Sequence, residues 1–260
     1  MDIVIKIQNL NYEKDQRVIL NSFNWEISKN ENWVILGKNG SGKTSLINLI
    51  YGYNWPTSGE ITVFGNKYGE VSIKEIRKKI GILESSHQES RLQRNLTVKD
   101  IISSGLLGTI GIYQDITEEE GIKVDGLINS NPWIKNRNQR FDTLSSGEKK
   151  KVLLLRSLIN EPDILILDEP CSSLDIHSRE DFFLTLEENR RIRNFQSILI
   201  THRTDEIPDY FSHILMINEG KMVVSGTIDD CMNSENLSKT YGLNISLSKL
   251  NNQYFCTVNR

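Results

Sequence analysis

Cysteine is scarce in this chain. Cys171, Cys231 and Cys256 are spread over 260 residues without a C-x-x-C pair. That odd, scattered set excludes a disulfide scaffold and fits free thiols in a reducing cytosol. Of the four histidines, His87, His177 and His213 show no metal-ligand spacing, which argues against a zinc site. Nothing approaches the roughly 18 consecutive apolar residues of a membrane span. The richest stretch, Ile101 to Ile112, holds two serines and three glycines, so direct membrane insertion is not expected. The opening residues, MDIVIKIQNL, lack a basic n-region, a long apolar h-region and a small-residue cleavage site, so a secretory signal is not expected either. Charge of one sign is also missing. The net charge is −3 and the pI about 5.9, which argues against a dedicated nucleic-acid binder. There is no repeat, low-complexity tract or linker, and 38% hydrophobic with 25% charged residues describes a globular chain.

What is present is an alternation of strand and helix patterns. Ile3, Ile5 and Ile7 open a strand and Phe23 to Ile27 forms a second. Trp33 to Leu36 is a short buried strand, followed by a glycine-rich turn and a helix from Ser45 to Tyr51. Glu60 to Phe64 and Ile80 to Leu83 read as further strands. Helical patterns then dominate: Thr97 caps Val98 to Ser103, a helix spans Thr117 to Ile128, and another spans Ser146 to Ile159. Ile164 to Leu167 is an apolar run of strand length. A long helix from Asp175 to Arg193 is expected to bury Phe182, Phe183 and Leu186. Ser197 to Thr201, His213 to Ile217 and Lys221 to Ser225 close the pattern, the last two as a hairpin about Glu219-Gly220. This order predicts an α/β fold, a mostly parallel sheet covered by helices with a helical insertion.

The chemistry sits first in Gly37-Lys38-Asn39-Gly40-Ser41-Gly42-Lys43-Thr44, which matches G-x-x-x-x-G-K-[ST] at every fixed position. Glycines let consecutive backbone N–H groups turn inward around a polyphosphate. The helix beginning near Ser45 offers its N-terminal N–H groups to the same anion. Lys43 is expected to reach the β and γ phosphates and the Thr44 hydroxyl to ligate Mg²⁺. Chance would produce the pattern in about one chain in a hundred of this length, and here it also lies between a strand and a helix.

Ile164-Leu165-Ile166-Leu167 ends in Asp168-Glu169. An apolar strand ending in Asp holds a carboxylate beside magnesium, so Asp168 is expected to hold the metal through water. Glu169 would orient and polarise the attacking water. His202 follows the strand ending at Thr201, at the carboxyl edge where ligands bind in such sheets, and is taken as a γ-phosphate contact.

Leu144-Ser145-Ser146-Gly147-Glu148 stands about a hundred residues after the phosphate loop and twenty before Asp168. Alone it reads as a loop and an N-cap. In this arrangement it resembles the Leu-Ser-Gly-Gly-Gln signature of the ATP-binding cassette (ABC) ATPases, with Ser146 for Gly and Glu148 for Gln. Ser173-Leu174-Asp175 resembles that family's D-loop, Thr201-His202 its switch histidine, and Tyr12 the aromatic residue that stacks on adenine. Thr97 to Gly105, Gly111-Ile112-Tyr113 and Asp205-Glu206-Ile207-Pro208 look closer to the molybdate-transport type of cassette.

The resemblance implies a P-loop NTPase fold in one ABC domain over 1–260: a nucleotide-binding core at about 1–84 and 160–230, with a mostly parallel sheet and an antiparallel β subdomain. A helical insertion carrying the signature occupies about 85–159 and a C-terminal extension 231–260. It implies ATP and Mg²⁺ as cofactors and a homodimer or paired cassette closing head to tail, with Ser145, Gly147 and Asp175 meeting the nucleotide across the interface. It also implies a separate transmembrane permease and a cytoplasmic place at the inner face of the membrane. A soluble ABC ATPase acting on nucleic acid or ribosomes, or a non-hydrolysing regulatory module, are the alternatives. The chain departs from the family at the Q-loop, where Ser85 takes the place of the magnesium-binding Gln and Gln88 lies three residues on. Either Ser85 serves through its hydroxyl or a water, or Gln88 swings in. The basic clusters at Arg77-Lys78-Lys79, Lys149-Lys150-Lys151 and Arg190 to Arg193 read as solvated helix surface.

Overall fold

The computed structural model describes residues 2–84, 95–107 and 116–259. In chain order the elements are strands β1 (Ile3–Lys14), β2 (Arg17–Ser28) and β3 (Trp33–Leu36), helix α1 (Lys43–Ile50), strands β4 (Ser58–Val63) and β5 (Asn66–Lys67) and helix α2 (Ile73–Lys78). Next come β6 (Ile80–Glu84), α3 (Val98–Ser104), α4 (Glu118–Asn129), α5 (Ser146–Leu158), β7 (Ile164–Asp168) and α6 (Ile176–Arg193). The chain closes with β8 (Gln196–Thr201), β9 (His213–Asn218), β10 (Lys221–Thr227), α7 (Ile228–Cys231), α8 (Ser234–Tyr241), β11 (Ile245–Leu250) and β12 (Gln253–Val258). Two compact units result: Met1–Ile80 with Gln196–Arg260, and Gly81–Phe195.

In the first unit, one antiparallel sheet runs β2-β1-β4-β5. Its pairing is Ile5 with Ile27, Ile7 with Trp25, Leu10 with Phe23 and Tyr12 with Leu20. Strict alternation from Ile5 would turn Asn9 and Asn11 inward. The register instead slips between Ile7 and Leu10. Asn9 takes φ +48° and its N–H donates to Asn24 Oδ1 at 2.8 Å. This extra residue keeps Leu10 and Tyr12 on the face of Ile5 and Ile7.

The unit's other strands run β10-β9-β3-β8. β3 lies parallel to both neighbours, with Leu36 opposite Thr201 on one side and Met216 on the other. Every residue of β3 and β8 is buried; β3 throughout and β8 from Ile198 to Ile200 show the apolar run expected of parallel strands covered on both faces. The elements beyond Thr227 had no strong sequence signal. There α8 is capped by Asn233, whose side chain accepts from the Asn236 N–H, and β11 and β12 form an antiparallel hairpin.

In the second unit β6 and β7 are neighbours. Its helices begin where polar side chains catch unpaired N–H groups. Thr97, Thr117 and Ser145 each form a reciprocal capping box with Asp100, Glu120 and Glu148. Leu153, Leu154, Leu155 and Leu158 are fully buried, as the all-round apolar second half of α5 requires. Two expectations need correction. Lys150 and Lys151 are buried, at 4% and 5% exposed, not solvated. Lys151 Nζ lies 2.5 Å from Asp181 Oδ2 and 4.2 Å over the Trp133 ring, so its charge is compensated where it is desolvated. On α6, Phe182 and Leu186 are buried but Phe183 is only half-buried, because its neighbouring position turns it away from the face that Phe182, Thr185, Leu186 and Asn189 share.

That face assignment predicts two unequal truncations. Phe182→Ala should destabilise the chain by about 3–5 kcal/mol. Leu184→Ala, at a position 60% exposed, should stay within about 0.5 kcal/mol. Urea unfolding followed by circular dichroism measures both, and equal losses would contradict the helix orientation.

Candidate functional site

The phosphate loop leaves β3 at Gly37 and enters α1 at Lys43. A side chain at Gly37 would strike the Ile217 carbonyl and lie 2.7 Å from Ser41 Oγ. Gly42, the residue before α1, takes φ +106°, and a Cβ there would meet Leu20 Cδ2 at 2.9 Å. The turn therefore requires glycine both for its backbone conformation and for its close approach to β2. Gly40 and Asn39 are exposed at the tip, as is Thr44, while Lys38 and Ser45 are half-buried. A Cβ at Gly40 would meet no atom within 4 Å, so the loop is open on that side. Lys43 is only 4% exposed, and its ammonium donates to the Gly37 carbonyl at 2.8 Å and to the Lys38 carbonyl at 3.1 Å. Amide-rich turn, helix N-terminus and buried cation form a cradle whose chemistry fits a polyphosphate.

The loop is held from outside by the β9–β10 turn. Gly220 donates its N–H to the Ser41 carbonyl at 3.0 Å and accepts from the Asn21 N–H at 3.0 Å. Glu219 and Gly220 take φ +49° and +73°, the paired positive values of a type I′ hairpin turn. A Cβ at Gly220 would strike the Ile19 carbonyl. Lys38 and Glu219 pair at 3.0 Å on the surface. The sequence marks the hairpin but not this grip. The Glu-Gly pair between two strands was its only signal.

His202 follows β8 directly, as Gly37 follows β3. Since Leu36 and Thr201 are partners in parallel strands, His202 and the start of the phosphate loop leave the same carboxyl edge side by side. Tyr12 stands differently. It is 7% exposed, opposite Leu20 on the buried face of β1, whereas stacking on a base calls for an open ring face. The bulge at Asn9 is the physical reason.

The second unit carries the remaining residues. Asp168 ends β7 and Glu169 follows with φ +47°. A left-handed glutamate is uncommon, and such strain concentrates at functional sites. Ser145 caps α5. Its hydroxyl donates to Glu148 Oε2 at 2.8 Å, and its N–H does so at 2.9 Å. Asp175 caps α6, accepting from the Ser178 N–H at 2.7 Å. A Cβ at Gly147 would sit 3.0 Å from Ser178 Cβ, so this glycine lets the first turns of α5 and α6 pack closely. Signature and D-loop residues thus share one corner of the unit, each on a helix N-terminus. Ser85 and Gln88 lie outside the described residues.

The capping box sets the charge of Glu148. The Ser145 N–H first, and then its hydroxyl, hold the carboxyl below the usual glutamate range. A depressed carboxylate stabilises the folded state fully above its unfolded pKa and loses that contribution as pH falls through the folded value. Glu148→Gln should therefore melt below the wild type at neutral pH, and the gap should narrow as pH falls through and below the ordinary glutamate range. A gap in melting temperature that is constant with pH would contradict this.

The family model described as ABC transporter matches residues 20–172. The uncharacterized ABC transporter ATP-binding protein YmeB of Lactococcus lactis subsp. lactis is 33% identical over 253 residues, spanning 97% of each chain. The uncharacterized ABC transporter ATP-binding protein YlmA of Bacillus subtilis is 34% identical over 238 residues, 91% of this chain and 90% of that one. Among solved structures, cbiO1 of Clostridium perfringens, part of the ABC transporter complex cbiONQ, aligns with a TM-score of 0.78 at 26% identity, covering 92% of this chain and 94% of that one. The chain belongs to the ABC transporter family, as an ATP-binding cassette that hydrolyses ATP to drive transport.

Proposed function

We propose that two copies of this chain, or this chain and a paired cassette, close head to tail around ATP and Mg²⁺ and drive a separate transmembrane permease from the cytoplasmic face. The phosphate loop carries this reading. Its amides turn about Gly40 and Gly42, and Lys43 is already buried against the loop's own carbonyls, so a polyphosphate would meet a prepared cation. Among the described residues no helix is long and apolar enough to cross a membrane, in keeping with a permease on another chain.

In this reading Gly37 to Ser45 bind the phosphates, with Lys43 at the β and γ positions. Thr44 and Asp168 supply the hard oxygen donors that magnesium prefers. The metal, when bound, neutralises charge developing on the transferred phosphoryl group. Glu169 holds and polarises the attacking water, and His202 contacts the γ-phosphate. Ser145 and Gly147, on the N-terminal turn of α5, complete the site of the facing cassette, with Asp175 at the seam. Tyr12 serves the adenine only if its ring is uncovered on binding. Ser85 holds the metal through water, keeping the family spacing from β6.

Two experiments test it. A general base contributes about 10²–10⁴-fold, so Glu169→Gln should slow turnover by that order while keeping ATP affinity. It should accumulate as a dimer on size-exclusion chromatography in Mg-ATP, and a persistent monomer counts against the closed pair. Mixing Lys43→Ala with Ser145→Arg subunits should restore activity above either variant alone, because one of the two sites is then intact. No gain over the separate variants removes the support for a signature acting across the interface.

A further inference from the structure

The residues beyond Asn233 have no part in the reading above, yet they hold the backbone at His202. We infer that the segment from Ser234 to Asn259 sets the position of His202, with Tyr241 as a positioning residue for hydrolysis. The inference rests on the reading of His202 as the γ-phosphate contact.

The Tyr241 hydroxyl donates to the carbonyl of His202 itself at 2.9 Å. Two residues further on, the turn at Thr204–Glu206 is held by the terminal hairpin. Thr204 Oγ1 donates to the Tyr254 carbonyl at 2.8 Å and lies 3.3 Å from Cys256 Sγ. Tyr254 is buried, at 8% exposed. The histidine backbone is thus gripped at its carbonyl by α8 and just downstream by β12. Burial pushes the Tyr241 phenol well above its ordinary pKa, so it remains a donor across the physiological range.

Both grips are anchored to the sheet that bears the phosphate loop. Thr240 is fully buried, its hydroxyl 3.4 Å from Met216 Sδ, and Asn218 Nδ2 donates to the Lys239 carbonyl at 3.0 Å. Met216 and Asn218 belong to β9, and Met216 is the β-partner of Leu36, the residue before the loop. Helix and hairpin are also tied together. Ser238 Oγ accepts the Ile245 N–H at 2.9 Å and Ser234 Oγ the Leu247 N–H at 3.0 Å. Tyr241 therefore measures the exit of β8 against the strand next to the phosphate loop. A histidine contacting a terminal phosphate must hold its place to well under 1 Å for full effect, and a backbone carbonyl fixed by a part-buried donor limits its drift.

The test compares Tyr241→Phe, His202→Ala and the double variant, with kcat and KM for Mg-ATP and melting temperatures. Tyr241→Phe keeps the ring and removes only the hydroxyl. It should lower kcat about 3–10-fold, the scale of one hydrogen bond, with KM changed by less than about twofold. In the His202→Ala background it should lower kcat no further, since its effect passes through the histidine. Wild-type kcat in Tyr241→Phe beside a slowed His202→Ala, even with a lowered melting temperature, overturns the inference and leaves the hydroxyl a stabilising contact. Equal losses from Tyr241→Phe in both backgrounds also overturn it. Full turnover in His202→Ala overturns the underlying reading of the histidine and the inference with it. Thr204→Val removes the second grip and should lower kcat in the same direction; unchanged kcat there refutes the hairpin's part.

Discussion

A loop that offers its backbone amides to an anion cannot spend the same amides on its own structure. Within the turn from Gly37 to Thr44 the Ser41 N–H is spent internally, on the Lys38 carbonyl at 3.2 Å, and the turn borrows further rigidity from around it. Buried β3 and β8 fix its entrance, α1 fixes its exit, and the type I′ turn at Glu219-Gly220 holds its middle through Ser41. Lys43 adds a contact from inside, since its ammonium bonds two loop carbonyls and so organises the chain that surrounds it. The tip at Asn39 and Gly40 stays exposed. Flexible glycines thus end in one conformation because every neighbouring element is rigid, and preorganised amides stabilise charge without reorganising as it develops.

The same economy appears on α5 and α6. Ser145 and Asp175 are caps before they are anything else, each satisfying N–H groups that a helix start leaves unpaired. A cap lies of necessity at a helix N-terminus, where the macrodipole favours negative charge. Stabilising the helix and offering a place to phosphate therefore draw on one geometry. Glu148 takes part in the cap while adding a negative charge to a corner that would face a phosphate. The family's usual Gln would cap without that charge.

Much of this was legible in the sequence because local rules and tertiary demands coincide. The phosphate loop, the strand into Asp168 and the caps at Thr97 and Ser145 each depend on a few adjacent residues, and each stands where the pattern predicted it; Thr117 and Asp175, read as the first residues of their helices, cap them instead. What was not legible depends on partners far along the chain. Tyr12 is inside because one bulged residue at Asn9 shifts the alternation, and a bulge leaves no period to detect. Lys150 and Lys151 read as surface because their charge is visible and their burial is not, nor is the compensation of Lys151 by Asp181 and Trp133. Phe183 sits one position off the buried face, within the error of an apolar cluster read without its neighbours.

The C-terminal residues show the limit most clearly. α8 and the β11–β12 hairpin are short, rich in Ser and Asn, and carry little periodicity, so nothing local announces them. Their stability is borrowed from β9 through Thr240 and the Lys239 carbonyl, from the burial of Leu237, and from the serine hydroxyls that tie helix to hairpin. An element that cannot stand alone is sensitive to what it leans on. Here it leans on the strand next to β3 and on the turn after β8, whose carboxyl ends carry the phosphate loop and His202. A change in either strand end must be felt by the terminal segment, and, because contact is mutual, the packing of that segment constrains how far the strand ends can move.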